Sequence, residues 1–285
     1  MRSASRLLSG FALTILLSFP AIPAASPNYQ GLWWNSPAGS ESGWGINLAH
    51  QGDVVFGTLY TYDNAGAPLW LSATMWLQSG STYSGVLYRT RGPALDADPW
   101  PPVTYPQDYT EVGTMTVTFS GADAGTLSYN VGSSRVSKPI KRMIYGSRSS
   151  CTSTTGSRIS ATNYQDLWWN KDQPGWGVNL THQDSTIFAT LYTYDDSGRD
   201  LWLSSTGFFQ GGRTYSGDLY RTTGPAFDAN PFTPITFPQN YTKVGTMTFT
   251  FADGVSGTLS YTYNGRPVTR SITRIEFASP LPVCQ

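Results

Sequence analysis

Two histidines, His50 and His182, are the only imidazoles in the 285 residues, and they stand at equivalent places in two copies of one motif, GWGINLAHQ (43–51) and GWGVNLTHQ (175–183). An imidazole can be a general base or a metal ligand. A protein metal site usually takes three or four ligands, and no Cys or second His stands near either one. A Ser–His pair needs only to meet in space, but there is no G-x-S-x-G elbow to point to one. A strand-end His making one hydrogen bond is the simpler expectation. Asp96 and Asp98, matched by Asp228 and Asn230, offer oxygens of the kind calcium takes, without the full calcium-loop spacing. Turn and capping roles suit them better. A carboxylate pair for glycoside hydrolysis common to both copies finds no support, because Glu41 falls in a loop that the second copy shortens to Pro174, and Glu111 becomes Lys243. No metal, cofactor or catalytic residue is assigned.

The elements that position these residues are duplicated. Residues 43–146 realign on 175–278 at a constant offset of 132 without a gap, and NYQGLWWN (28–35) returns as NYQDLWWN (163–170). A period this long marks a duplicated domain. Each copy holds about eight short β-rich runs, in the first near 31–35, 43–51, 54–62, 68–77, 82–90, 112–119, 125–131 and 136–145, and no convincing helix. Turn sequences such as Asp-Asn-Ala-Gly (63–66) and Asp-Asp-Ser-Gly (195–198) separate them as in hairpins. The expected fold is all-β, two tandem antiparallel up-and-down barrels of about eight strands, with β-sandwiches as the alternative. The Pro-rich stretch 91–111, matched by 223–243, is long for a connection inside a small domain. It reads as a flap over a barrel end, or as a lid or partner-contact loop.

The boundaries follow. Residues 1–25 read as a signal peptide, with Arg2 and Arg6, a short apolar run and small residues for cleavage. Repeat one spans 26–146, a Ser/Thr-rich linker 147–162 and repeat two 163–285, with the linker expected to be flexible and each half to fold alone. No other apolar stretch reaches membrane-spanning length, so the protein is expected to be secreted or periplasmic. The formal charge balance is zero, which gives no steering toward nucleic acid. The two cysteines, Cys151 and Cys284, bracket repeat two, and in an exported protein such a pair most simply forms one disulfide.

Ten Trp and seventeen Tyr in a charge-poor chain suggest surfaces that stack on a ligand, although strands also select aromatics for their cores. Because strand side chains alternate faces, comparison of the copies sorts them. Phe56, Thr58, Tyr60, Tyr62, Trp70, Ser72 and Thr74 are unchanged, whereas Val55, Gly57, Ala73 and Met75 differ from their counterparts. We take the unchanged set as lining an interior cavity, with the opposite assignment open because Leu59, Leu69 and Leu71 sit on the drifting side. The candidate ligand residues are Asn47, Tyr60, Tyr62, Trp70, Ser72, Thr74 and Arg89, with Asn179, Tyr192, Tyr194, Trp202, Ser204, Thr206 and Arg221 in the second copy. The rings of Trp70 and Trp202 are expected to matter more for affinity than for folding.

Gly31-Leu-Trp33 near the start and Arg142 near the end of copy one resemble the signature of the lipocalin and avidin superfamily of barrels; copy two keeps Trp168 and Arg274 but has Asp166 for the Gly. The resemblance implies a barrel whose late Arg packs over the early Trp and closes one end. The fuller string, GWGxNLxHQ through YRTxGPAxDA, resembles a domain of secreted proteobacterial proteins with no established activity, which implies location and fold more than function. The expected role is non-catalytic binding of a glycan or small amphipathic ligand. A protein-interaction module, such as an adhesin or an inhibitor of a secreted hydrolase, is the alternative, and an enzyme of unrecognised type the third.

Overall fold

Short strands joined by tight turns fold as a meander, and each meander here closes on itself. The computed structural model describes residues 27–147 and 149–285; the signal peptide expected over 1–25 lies outside the described residues. The first copy forms β1 (Gly31–Asn35), β2 (Gly45–Gln51), β3 (Val54–Tyr62), β4 (Pro68–Ser79), β5 (Thr82–Thr90), β6 (Tyr109–Phe119), β7 (Ala124–Val131) and β8 (Ser134–Arg142). Each strand pairs antiparallel with the next, and β8 returns to pair with β1, so the sheet is a closed barrel rather than a sandwich. After β9 (Cys151–Thr154), the second copy repeats the arrangement with β10 (Asp166–Trp169), β11 (Gly177–Gln183), β12 (Thr186–Tyr194), β13 (Asp200–Gly211), β14 (Thr214–Thr222), β15 (Tyr241–Phe251), β16 (Ser256–Tyr263) and β17 (Arg266–Arg274). Among the described residues there is no helix, hence none long and apolar enough to cross a membrane.

The barrel interiors are aliphatic, which corrects the inward assignment made from the sequence. In barrel one the rows Ile46–Leu59–Leu71, Leu48–Gly57–Ala73 and His50–Val55–Met75 are cross-strand partners facing in, packed with Trp33, Leu87, Met115, Val117 and Leu127. On β3 and β4 the drifting positions therefore belong to the core, and they drift in compensated volumes, whereas on β5 the unchanged Tyr83 and Leu87 face in and Val86, which becomes Asp218, does not. A Cβ on Gly57 would sit 2.8 Å from Met75 Cε. The second barrel has Ala189 in place of Gly57, Ile187 in place of Val55, and Gly207 in place of Met75. Cores accept such swaps when total volume is kept.

One end of each barrel is closed by stacked aromatic and cationic groups. The Arg142 guanidinium lies 4.7 Å from the Trp33 ring centroid, and that of Arg274 lies 5.0 Å from Trp168. Asp166, the departure from the G-x-W pattern, is fully buried and paired with Arg158 (2.6 Å) and Arg274 (3.6 Å). The carboxylate that replaces Gly31 thus comes with an extra cation from the preceding segment, which meets the need of a buried charge for a partner.

The Ser/Thr-rich segment is not a free tether. Its β9 pairs with β18 (Leu281–Cys284), and the Cys151–Cys284 disulfide joins the two strands where they face each other. The chain also crosses between barrels at this end. Gln51 Nε2 donates to the Ile275 carbonyl, and Gln51 Oε1 accepts from the Phe277 and Ala278 amides. Gln183 makes the same set with Met143, Tyr145 and Gly146.

At the opposite end the long loops exchange. The Leu95 amide donates to the Tyr194 carbonyl and the Val103 amide to that of Pro174, while Phe227 and Ile235 make the equivalent bonds to Tyr62 and Ser42. Trp100, carried by the loop of barrel one, stacks under Arg270 of barrel two at 4.8 Å; Phe232 lies under Lys138 of barrel one at 4.7 Å. Each Pro-rich flap covers an end of the other barrel, so the barrels lie side by side with like ends together. Gly92 and Gly224 make this possible, since a Cβ on either would fall 2.1–2.2 Å from the ring of Tyr194 or Tyr62. Replacing Gly224 with Val is expected to lower the melting temperature by several degrees, as overpacking of about 1–3 kcal/mol would. Differential scanning calorimetry measures it.

Candidate functional site

The ring set that stayed unchanged faces outward from each barrel and is buried against the other. Trp70 Nε1–H donates to the Thr193 carbonyl (2.9 Å) and Trp202 Nε1–H to the Thr61 carbonyl (2.8 Å). The Tyr62 hydroxyl donates to Thr222 Oγ1 at 2.8 Å, and the Tyr194 hydroxyl lies at the same distance from Thr90 Oγ1. Tyr60 packs on Trp202 and Tyr192 on Trp70, with centroids 4.9 and 5.7 Å apart. All six rings are at most 7% exposed. Burial raises the Tyr60, Tyr62, Tyr192 and Tyr194 hydroxyls above the usual phenol range. The contacts repeat at the offset of 132, which makes the interface pseudo-two-fold.

The polar members separate into different roles. Asn47 Nδ2 donates across the interface to the Tyr192 hydroxyl (2.6 Å), whereas the buried Oδ1 of Asn179 has no partner among the described residues. Arg89 pairs with Asp200 of the other barrel at 2.5 Å. Burial pushes the Asp200 carboxyl up to about 6 even with Arg89 beside it. Copy one has Pro68 at the position of Asp200, so Arg221 has no matching partner, and its Nε is buried without an acceptor. Thr74 and Thr206 are exposed on the outer face, and Ser204 is half-buried beside Trp202.

One side of this interface opens into a cleft of about 210 Å³. Barrel one contributes Phe56, Thr58, Trp70, Ser72, Thr90 and Tyr109. Barrel two supplies Tyr192, Tyr194, Trp169 and the turn Pro174–Gly177, where its entry loop is three residues shorter. The lining is aromatic and carries no charged side chain. Thr90 is engaged with Tyr194. The Thr58 and Ser72 hydroxyls, on residues 3% and 9% exposed, have no hydrogen-bond partner among the described residues. A half-buried apolar cleft with a few convergent polar groups is the usual form of a small-molecule site.

The cleft thus unites Trp70, Ser72, Tyr192 and Tyr194 of the sequence-derived set and leaves the other ten, Asn47, Tyr60, Tyr62, Thr74, Arg89, Asn179, Trp202, Ser204, Thr206 and Arg221, outside its lining. Phe56 and Thr58 belong to the unchanged set but not to the candidates, and Thr90, Tyr109, Trp169 and the Pro174 turn belong to neither. Tyr109, Phe56 and Trp169 have the same weak signal as the others, since each keeps an identical counterpart at Tyr241, Phe188 and Trp34. Trp100 and Phe232, the alternative anchors in the long loops, are buried against the opposite barrel.

The histidines close the barrel ends that lack the loops. His50 Nδ1 accepts from the Tyr29 amide (3.0 Å), its Nε2–H donates to the Gly52 carbonyl (3.0 Å), and its ring stacks on Tyr29. His182 repeats this with Tyr164 and Asp184. The side-chain hydroxyl against each ring belongs to a tyrosine, Tyr83 or Tyr215, at 3.2 Å. Asp96 is paired with Arg266 and Asp228 accepts from Ser134, so both carboxylates serve the loop exchange. No family model, curated protein or solved structure matches the chain.

Proposed function

We propose that this is an exported, non-catalytic binding protein whose ligand, a glycan or another small uncharged amphipathic molecule, occupies the cleft between the barrels. The observation that carries the reading is the pair of unpartnered hydroxyls, Thr58 and Ser72, set in an uncharged aromatic wall built from both copies. Rings supply flat faces for stacking, and the hydroxyls supply direction. The filled barrel interiors offer no such space, so a ligand inside each barrel is not part of this reading. The packing of Arg142 over Trp33 and Arg274 over Trp168 supports a lipocalin/avidin-like closure of each barrel, and the Cys151–Cys284 disulfide supports an oxidising compartment.

A thermal-shift screen of uncharged saccharides and small aromatic alcohols on residues 27–285, followed by calorimetric titration, tests the proposal. The Thr58→Val, Ser72→Ala double variant should bind the best compound about 5–30-fold more weakly, as two lost hydrogen bonds of about 1 kcal/mol each would give. Its melting temperature should change little, because neither hydroxyl bonds to the protein. Unchanged affinity in a folded double variant would place the ligand elsewhere.

A further inference from the structure

The cleft is too small to be the whole site. Clefts that hold drug-sized ligands run to roughly 300–1,000 Å³, whereas this one has about 210 Å³, room for little more than one ring. A ligand of useful affinity must therefore continue outside it. The surface it would meet first is aromatic. Tyr109, in the cleft wall, is also one corner of a triad with Tyr88 and Tyr105; the ring centroids are 5.6–6.2 Å apart and the rings lie edge to face. Tyr88 is the cross-strand partner of Ser72, so the triad adjoins the hydroxyl end of the cleft. Tyr105, at the tip of the long loop, is 69% exposed. The same loop holds Leu95, Trp100 and Val103 against the other barrel. The exposed ring thus stands on an anchored support.

Resting on the cleft as the binding site, we infer that the ligand is a neutral oligosaccharide: one sugar ring enters the cleft against Trp70, with Ser72 and Thr58 taking its hydroxyls, and the following sugars run out over Tyr109, Tyr88 and Tyr105. A chain of pyranose rings presents an apolar face and equatorial hydroxyls in repetition. That pattern suits a stacking platform next to a hydroxyl-lined slot with no fixed charge. Barrel two carries the matching triad of Tyr220, Phe237 and Tyr241, with Phe237 68% exposed.

The test titrates residues 27–285 with neutral β-1,4-linked glucose, xylose and N-acetylglucosamine oligomers, from monomer to hexamer. Affinity for at least one series should rise about tenfold or more between monomer and tetramer, then level off. Tyr105→Ala should weaken the tetramer about tenfold, in the range of one lost stacking ring, and leave the monomer unchanged. Thr58→Val with Ser72→Ala should weaken monomer and tetramer alike. Length-independent affinity, or a tetramer indifferent to Tyr105→Ala, overturns the oligosaccharide track while leaving the cleft in place. Binding that ignores the Thr58 and Ser72 substitutions overturns the cleft itself. If no oligomer binds and an aromatic alcohol does, the ligand is not a glycan and the inference is wrong.

Discussion

Residues 27–147 alone are expected to fold as a barrel and to associate as a dimer at about 10 µM, rather than remain a monomer. The barrel has its own closed hydrogen-bond ladder and most of its own core; the second half adds Phe227 and Phe232 only at the end its loop covers. Its outer face, however, would present Tyr60, Tyr62 and Trp70 to water, and its long loop would have no barrel end to cover. The complement it needs is a face bearing Tyr192, Tyr194 and Trp202, which is the same three residue types in the same order. A second copy of the half supplies it. The measurement is sedimentation velocity on the half, with Trp70→Ala as the control that should dissociate it. A well-folded monomer that melts as sharply as the whole chain would show that the halves do not need each other, as the sequence alone had suggested.

Acidification from pH 7 to pH 5 is expected to lower the melting temperature by about 5–10 °C. His50 and His182 are buried neutral, with folded values lowered to about 4, chiefly by burial. A charged ring must donate from both nitrogens, and Nδ1 faces the Tyr29 or Tyr164 amide, which is itself a donor. Because the folded value lies below the unfolded value of about 6.5, the unfolded chain binds more protons across that window. Stability is therefore full above about 6.5 and is lost as pH falls toward 4. Each histidine contributes roughly 2 kcal/mol of loss by pH 5. Asp200 acts in the opposite sense. Its raised value, about 6, means that protonation is easier in the folded state, so its contribution improves as pH falls. Asp200 offsets roughly 1 kcal/mol by pH 5, and the Asp166 carboxyl, also raised by burial, acts in the same sense against the two histidines. Thermal melts of the His50→Gln, His182→Gln double variant should show little or inverted acid sensitivity. A wild-type melting temperature that is flat between pH 7 and pH 5 would contradict the burial argument.

Much of the scaffold was legible in the residues. The repeat and the eight-strand meander follow from spacing, the Cys151–Cys284 pairing from an even cysteine count in a chain read as exported, and the split of Phe56, Thr58, Tyr60 and Tyr62 from Val55, Gly57 and Leu59 into two faces from alternation. What alternation does not carry is which face is inside. Identity between the copies has a second cause in a duplicated chain besides contact with a ligand. Trp70 and Trp202 meet equivalent surroundings across a pseudo-two-fold axis, so a change in one copy leaves the other copy's surface without its match. Inside the barrel, Val55, Gly57 and Met75 lie side by side and can trade volume among themselves, while their neighbours Leu48, Leu59 and Leu71 are unchanged. The cleft was illegible for a related reason: Ser72 and Trp169 are far apart in sequence and belong to different repeats, and no periodicity within one copy brings them together.

The exchange of loops between barrels also sets a timetable. The first barrel emerges from synthesis about 132 residues ahead of its counterpart, which at roughly 5–20 residues per second is an interval of about 7–26 s. A barrel of this size has ample time to close within it. During that interval the flap with Trp100 has nothing to cover, and Tyr60, Tyr62 and Trp70 stand bare. A first half belonging to another molecule is a competent substitute for the missing second half. Crowded synthesis thus favours chains joined head to head through their first repeats, while dilution or a holding chaperone favours the intramolecular pair.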